Sequence, residues 1–304
     1  MRSWWSRRSG GLASMVVVAV VAAASLTGCA PPKNYVSLGD SFTSGPLIPV
    51  QRDDPTGCLR STNNYPSLVA PSLAAREHRD PSCSGGQTKH MTEPQGVDPG
   101  GPNPPQFDSL DADTRVVTLG IGGNDIGFSE IATTCGGLTR TDPLGAPCKA
   151  HYNEGGTDQI AARITATASK VDAVLDGIRS RALRAQIFVV GYPAILPEVV
   201  TTAVWLACVE TLPVALEDMN WLRDDVEKAL NTMLRTQAEA NGAVYVDTYT
   251  GSIGHDACKP PIVRWVEPVA PGDVAAPVHP NIRGMEGSKV AVLEAMDANG
   301  VPMR

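Results

Sequence analysis

Four short apolar runs constrain this chain more than any other feature: Tyr35 to Leu38, Val116 to Ile121, Gln186 to Gly191 and Ala243 to Val246. Runs of that length, rich in Val, Ile, Phe and Tyr, read as buried strands. The segments between them carry a different period. Residues 158–183 place Ile160, Ile164, Ala168, Val171, Val174, Leu175 and Ile178 on one helical face. Residues 213–240 do the same with Leu222, Val226, Ala229, Leu230 and Met233. Shorter helices are predicted at 65–76, where Pro71 interrupts, at 126–134 and at 284–297. Short buried strands alternating with long helices require a parallel sheet covered on both faces and joined by right-handed crossovers. The fold class read from this pattern is α/β: one three-layer α/β/α sandwich with a mainly parallel central sheet, over residues 35–304. Long loops rich in proline and glycine fill 43–64, 79–105, 135–156 and 256–281.

The N-terminus lies outside that pattern. Arg2, Arg7 and Arg8 precede an apolar stretch from Met15 to Leu26, twelve residues long. A membrane-spanning helix needs about 20, so residues 1–28 read as an export signal. Leu26-Thr27-Gly28-Cys29 resembles the lipobox of bacterial lipoproteins, which makes Cys29 the expected lipidation site and 29–34 a short tether. An ordinary cleavage site with a chance cysteine is the plainer alternative. The expected location is the outer face of a bacterial cell membrane, held by a lipid anchor, or the secreted fraction.

Six further cysteines fit export: Cys58, Cys83, Cys135, Cys148, Cys208 and Cys258. An even number in an exported chain suggests three disulfides, for which fifteen connectivities exist. Nearest-neighbour pairing is the simplest. No CxxC, HExxH or paired-histidine pattern occurs, so no metal site is expected. Asp53, Asp54 and Asp98 lack the spacing of an EF-hand loop. A formal charge of −7 without a basic block argues against nucleic acid.

The chemistry is expected where strands end. Val36-Ser37-Leu38-Gly39-Asp40-Ser41 is an apolar run stopped by a glycine, an acid and a serine. Taken alone, Ser41 reads more readily as a helix cap than as a nucleophile. Three other places join it: Cys83-Ser84-Gly85-Gly86, Gly122-Gly123-Asn124-Asp125 directly after the second strong strand, and His279-Pro280 before the last helix. In a parallel sheet the C-terminal strand ends share one edge, where ligands bind.

Gly39-Asp40-Ser41, Gly85, Gly122-Gly123-Asn124-Asp125 and His279-Pro280 resemble, in order, the four blocks of the SGNH hydrolases, also called GDSL esterases and lipases. The strings around Gly85 and Asn124 are similar to the actinobacterial secreted esterase/lipase branch. The resemblance implies a flavodoxin-like α/β/α fold and a serine ester hydrolase. It implies Ser41 as nucleophile, His279 as base, and an oxyanion hole of Ser41 N–H, Gly85 N–H and the Asn124 amide. It also implies sequential pairing of the six cysteines and no cofactor. These residue types suit the work: serine needs a base to take its proton, and histidine titrates near neutrality. Many SGNH enzymes hold the histidine with an aspartate three residues earlier. Here that position is Ala276. Its backbone carbonyl is the expected orienter, with Asp273 the rival.

Asp40 and Asp125 are assigned to turn hydrogen bonding, and His78, His90, His151 and His255 to ordinary surface or loop positions. Trp205, Trp221 and Trp265 are assigned to packing, Trp265 being the one to examine. The reading is an exported monomeric hydrolase of esters, lipid esters included. Its alternatives are a carbohydrate O-acetyl esterase and a surface lipoprotein that binds lipids or glycans without turnover.

Overall fold

The computed structural model describes Met1, residues 34–270 and residues 274–304. The export signal, Cys29 and the rival orienter Asp273 lie outside the described residues. Five strands form one parallel sheet: β1 Asn34–Gly39, β2 Glu77–Arg79, β3 Thr114–Gly120, β4 Gln186–Val190 and β5 Val244–Val246, in the order β2-β1-β3-β4-β5. β1 begins at Asn34, so the chain enters the sheet at the last residue of the expected tether.

Successive side chains on a strand point to opposite faces, and the two cores follow that rule. Val36, Leu38, Val117, Leu119, Ile187 and Val189 lie on one face, under the helices Gln159–Arg181 and Lys228–Ala240. Tyr35, Val116, Phe188, Val190 and Val246 lie on the other, against Tyr65, Val69 and the helix Ile282–Ala298. This is the three-layer sandwich that the alternation required. Cys58–Cys83, Cys135–Cys148 and Cys208–Cys258 are disulfide-bonded, the nearest-neighbour pairing.

The fifth strand, β2, was not foreseen. Its residues are Glu-His-Arg at a sheet edge, partly exposed, and carry no apolar run. The helix read across 213–240 is in three parts: Leu216–Trp221, a π-helical stretch Leu222–Glu227, and Lys228–Ala240. The π turn widens the helix locally and aims Leu222, Val226 and Glu227 into the cleft described below. The helix predicted at 126–134 runs instead from Phe128 to Leu138. The preceding residues form a tight turn between Gly122 at φ 118° and Gly127 at φ 84°, which a helix cannot accommodate. The Trp residues 205 and 221 are buried in the core. No described helix is long and apolar enough to cross a membrane.

Candidate active site

β1 and β3 end side by side, with Gly39 in register with Gly120. The N–H and C=O of Gly39 are both bonded by the Gln106 side chain, at 2.8 Å each. A Cβ on Gly39 would lie 2.1 Å from Thr43 Oγ1 and 2.7 Å from Gly120 O, so only glycine fits this stop. The chain then turns into the short helix Ser41–Ser44. Its cap is Asp40, whose Oδ1 accepts from Phe42 N–H at 2.9 Å, and not Ser41. The cap therefore stands outside the reacting pair and leaves the Ser41 hydroxyl free for another partner.

That partner is His279. Its Nε2 lies 2.7 Å from Ser41 Oγ, across 238 residues of sequence. The imidazole also packs on Phe42, with ring centroids 4.9 Å apart. Burial lowers the His279 pKa, and the bond from Nδ1 to a backbone carbonyl opposes that shift. That carbonyl belongs to Pro277, at 2.7 Å. The expectation for Ala276 is thereby corrected. The Ala276 carbonyl accepts from the backbone N–H of His279 at 3.2 Å instead. Val278, between them, adopts φ 61°, a left-handed conformation that a β-branched residue rarely takes. It turns the Pro277 carbonyl toward the ring. Val278 is held there by paired backbone bonds to Glu267 on both sides: Val278 N to Glu267 O at 3.0 Å and Glu267 N to His279 O at 2.9 Å.

The other two blocks are bound to the Ser41 turn. Cys83 N–H donates to Gly39 O at 3.1 Å, and a Cβ on Gly86 would lie 3.4 Å from Asp40 Cα. Gly85 takes φ 76°, which favours glycine. Asn124 Nδ2 donates to Gly86 O at 2.9 Å. Asp125 accepts from Thr88 N–H at 3.0 Å and from its hydroxyl at 2.5 Å, so it ties two loops together in addition to shaping a turn. Among the described residues, the backbone N–H groups of Ser41 and Gly85 donate to no protein acceptor.

A buried relay was not foreseen. Gly123 N–H donates to Tyr192 Oη at 2.8 Å, and Tyr192 Oη donates to Asp40 Oδ2 at 2.6 Å. Burial pushes the Asp40 carboxyl up to about 7, against the bonds from Tyr192 and Phe42 that favour its charge. The relay fixes the Ser41 turn to the Asn124 turn. Its only sequence signal was the position of Tyr192, two residues after the end of β4. Gln106 and Pro277 gave no signal at all.

Ser41, Asn124 and His279 open on an apolar cleft. Its walls include Ile126, Phe128, Ile131, Leu196, Val226 and Leu230. Trp265 is not among the lining residues. It stacks on His255 with centroids 4.3 Å apart and packs against Gly287 of the last helix. His78 is half-buried on the edge strand, where it stacks on Tyr35 at 4.6 Å, with Nε2 3.1 Å from Ser37 Oγ. His90 Nδ1 accepts from Gln87 N–H at 3.0 Å and caps a short turn. Among the described residues no cluster of three His, Cys, Asp or Glu is arranged to hold a metal ion.

A serine bonded to a histidine at the C-terminal rim of a parallel sheet, above an apolar cleft, is an arrangement suited to an enzyme that hydrolyses esters. Residues 37–286 match the GDSL-like Lipase/Acylhydrolase family. The chain is 39% identical to Lipase 2 of Streptomyces coelicolor over 261 residues, 84% of this chain and 82% of that protein. Its fold is similar to phospholipase A1 from Streptomyces albidoflavus, at TM-score 0.71 and 25% identity, covering 87% of this chain and 99% of the other. It is similar also to the extracellular lipase from Streptomyces rimosus, at TM-score 0.69 and 26% identity, covering 86% and 99%. The chain belongs to the GDSL-like lipase/acylhydrolase family and is a carboxylic ester hydrolase.

Proposed function

We propose that this hydrolase cleaves lipid-type carboxylic esters through an acyl-enzyme on Ser41. His279 Nε2 takes the Ser41 proton as Oγ attacks the ester carbonyl carbon. The oxyanion of the tetrahedral intermediate accepts from Ser41 N–H, Gly85 N–H and Asn124 Nδ2, each such donor being worth about 3 kcal/mol. His279 then returns the proton to the departing alcohol, and water repeats the sequence on the acyl-enzyme. The Pro277 carbonyl holds Nδ1–H and so fixes the tautomer that presents Nε2 to Ser41. The observation that carries this reading is the 2.7 Å contact between Ser41 Oγ and His279 Nε2, opening on an apolar cleft.

The cleft favours an acyl chain well beyond acetyl, since a two-carbon group would leave its apolar walls unfilled. The alcohol part is not specified by these residues. Export is supported by the N-terminal signal pattern and the three disulfides. The solved Streptomyces rimosus relative is itself described as extracellular. Cys29 carries the lipid anchor in this reading, and Cys29→Ser releases the protein from membranes; continued retention would count against it. Every proposed site residue comes from one chain, so the reading needs no second copy of it.

The test pairs a phosphonate probe with a panel of p-nitrophenyl esters from acetate to palmitate. The adduct is expected on Ser41, and labelling unchanged in Ser41→Ala would sink the assignment. Turnover confined to acetate would favour an O-acetyl esterase. Binding without turnover of any ester would favour a non-catalytic lipoprotein.

A further inference from the structure

One wall of the cleft is chemically out of place. Glu227 ends the π-helical stretch Leu222–Glu227 and lines the cleft beside Leu222, Val226 and Leu230. It is 7% exposed. Its Oε1 accepts from Ile195 N–H at 2.8 Å. Its Oε2 makes no hydrogen bond of ordinary geometry among the described residues, although the Leu196 N–H is also near enough to favour the carboxylate's charge. The adjacent Lys228 does not neutralise it. That ammonium is turned to Glu198 at 2.6 Å and Asp224 at 3.2 Å, and Tyr249 Oη donates to Glu198 at 2.9 Å.

A buried polar atom without a partner is rare and costly in a native protein. Such an atom calls for an explanation, and a ligand that supplies the missing bond is one. Ser41, Asn124 and His279 are at the reacting end of the cleft, and the Tyr192 hydroxyl is already bonded on both sides. Both Asp40 oxygens are bonded, by Phe42 N–H and Tyr192, and Ser129 is exposed, so Glu227 is the buried polar group left in the aliphatic wall. Burial pushes its carboxyl up to about 8, so near neutral pH it carries a proton and can donate as well as accept.

We infer that Glu227 forms a polar subsite in the acyl cleft and selects acyl chains bearing a hydroxyl or oxo oxygen over plain hydrocarbon chains. The inference rests on the reading that this cleft holds the acyl group. A plain chain leaves Oε2 unpaired when it fills the cleft. A chain with an oxygen at the matching carbon gives Oε2 a partner in the dry interior. Sites built to bond a substrate oxygen discriminate strongly against the analogue that lacks it.

The experiment measures kcat/KM on p-nitrophenyl palmitate and on a positional series of hydroxypalmitate esters. The wild type, Glu227→Gln and Glu227→Leu are compared. Each rate is divided by the same variant's rate on p-nitrophenyl acetate, which reports Ser41 chemistry without filling the cleft. The wild type is expected to favour at least one positional isomer by tenfold or more. Glu227→Leu should lose that preference and gain on the plain chain, whereas Glu227→Gln should keep most of it. Equal or poorer rates on every hydroxylated isomer would overturn the inference, as would a preference that survives in Glu227→Leu. Should the leucine variant fail to fold, Glu227→Met replaces it, and the wild-type isomer series decides by itself. Failure of the esterase reading would look different: neither acetate turnover nor phosphonate labelling of Ser41.

Discussion

The carbonyl oxygen of Pro277 lies 2.7 Å from Nδ1 of His279, two residues further along the same chain. A backbone carbonyl thus occupies the position that a carboxylate holds in a three-residue catalytic triad. It accepts the Nδ1 proton and sets the tautomer, but its partial charge stabilises an imidazolium less than a full negative charge does. The consequences reach both mutagenesis and pH dependence.

Asp273→Asn should change kcat/KM on a p-nitrophenyl ester by less than about threefold, because the Nδ1 donor is already used by Pro277. Loss of a triad carboxylate costs about 10⁴ in kcat. Steady-state kinetics of this variant, with a thermal melt as folding control, decides between the two. A fall of several orders of magnitude would assign the orienting role to Asp273.

The acid limb of the pH profile should lie below the ordinary histidine range. Burial lowers the His279 pKa, and its Nδ1 partner is a neutral carbonyl. In the proposed mechanism neutral His279 is the base, so a lowered pKa carries activity further into acid than an unperturbed imidazole at about 6.5 would. The check is kcat/KM on p-nitrophenyl butyrate between pH 4.5 and 9. A midpoint above 7 would mean that a carboxylate is stabilising the imidazolium.

Asn124→Ala should lower kcat by roughly 10²–10³ with little change in KM, the effect of removing one oxyanion donor. The same substitution removes the 2.9 Å bond to Gly86 O that holds the loop carrying Gly85. Both effects act on the transition state more than on ground-state binding. Equal loss in kcat/KM and gain in KM would instead mark Asn124 as a substrate-binding residue.

The legible part of this fold was the part written in hydrophobic period. Val36, Val117, Ile187 and their alternates announced four strands, and Ile164 to Ile178 announced a long helix. β2 stayed hidden because an edge strand of three polar residues needs no apolar run. The π turn stayed hidden because one extra residue per turn barely disturbs a helical pattern. Ser41, Asn124 and His279, which the structure brings to one cleft, were singled out by spacing and by the blocks they resemble. Pro277 was missed because its role depends on Val278 at φ 61°, a conformation that valine's own preferences argue against. The Asp40–Tyr192–Gly123 relay was missed because it joins loops 152 residues apart.

Glu227→Gln should flatten part of the dependence of stability on pH. Burial holds the Glu227 carboxyl up to about 8, well above the ordinary value of about 4.3. The folded state therefore keeps a proton that the unfolded state releases. Stability from this group is fully present below the unfolded pKa and is lost as pH rises through the folded one. The loss is at most about 1.4 kcal/mol per pH unit across that window. Glutamine keeps an oxygen for Ile195 N–H and cannot ionise. Asp40, also raised by burial, titrates in both proteins and cancels in the difference. Urea midpoints at pH 5, 6, 7 and 8 should show the variant gaining on the wild type at each step. A difference that stays constant across the series would mean that Glu227 is ionised throughout, and that the cleft wall carries a charge.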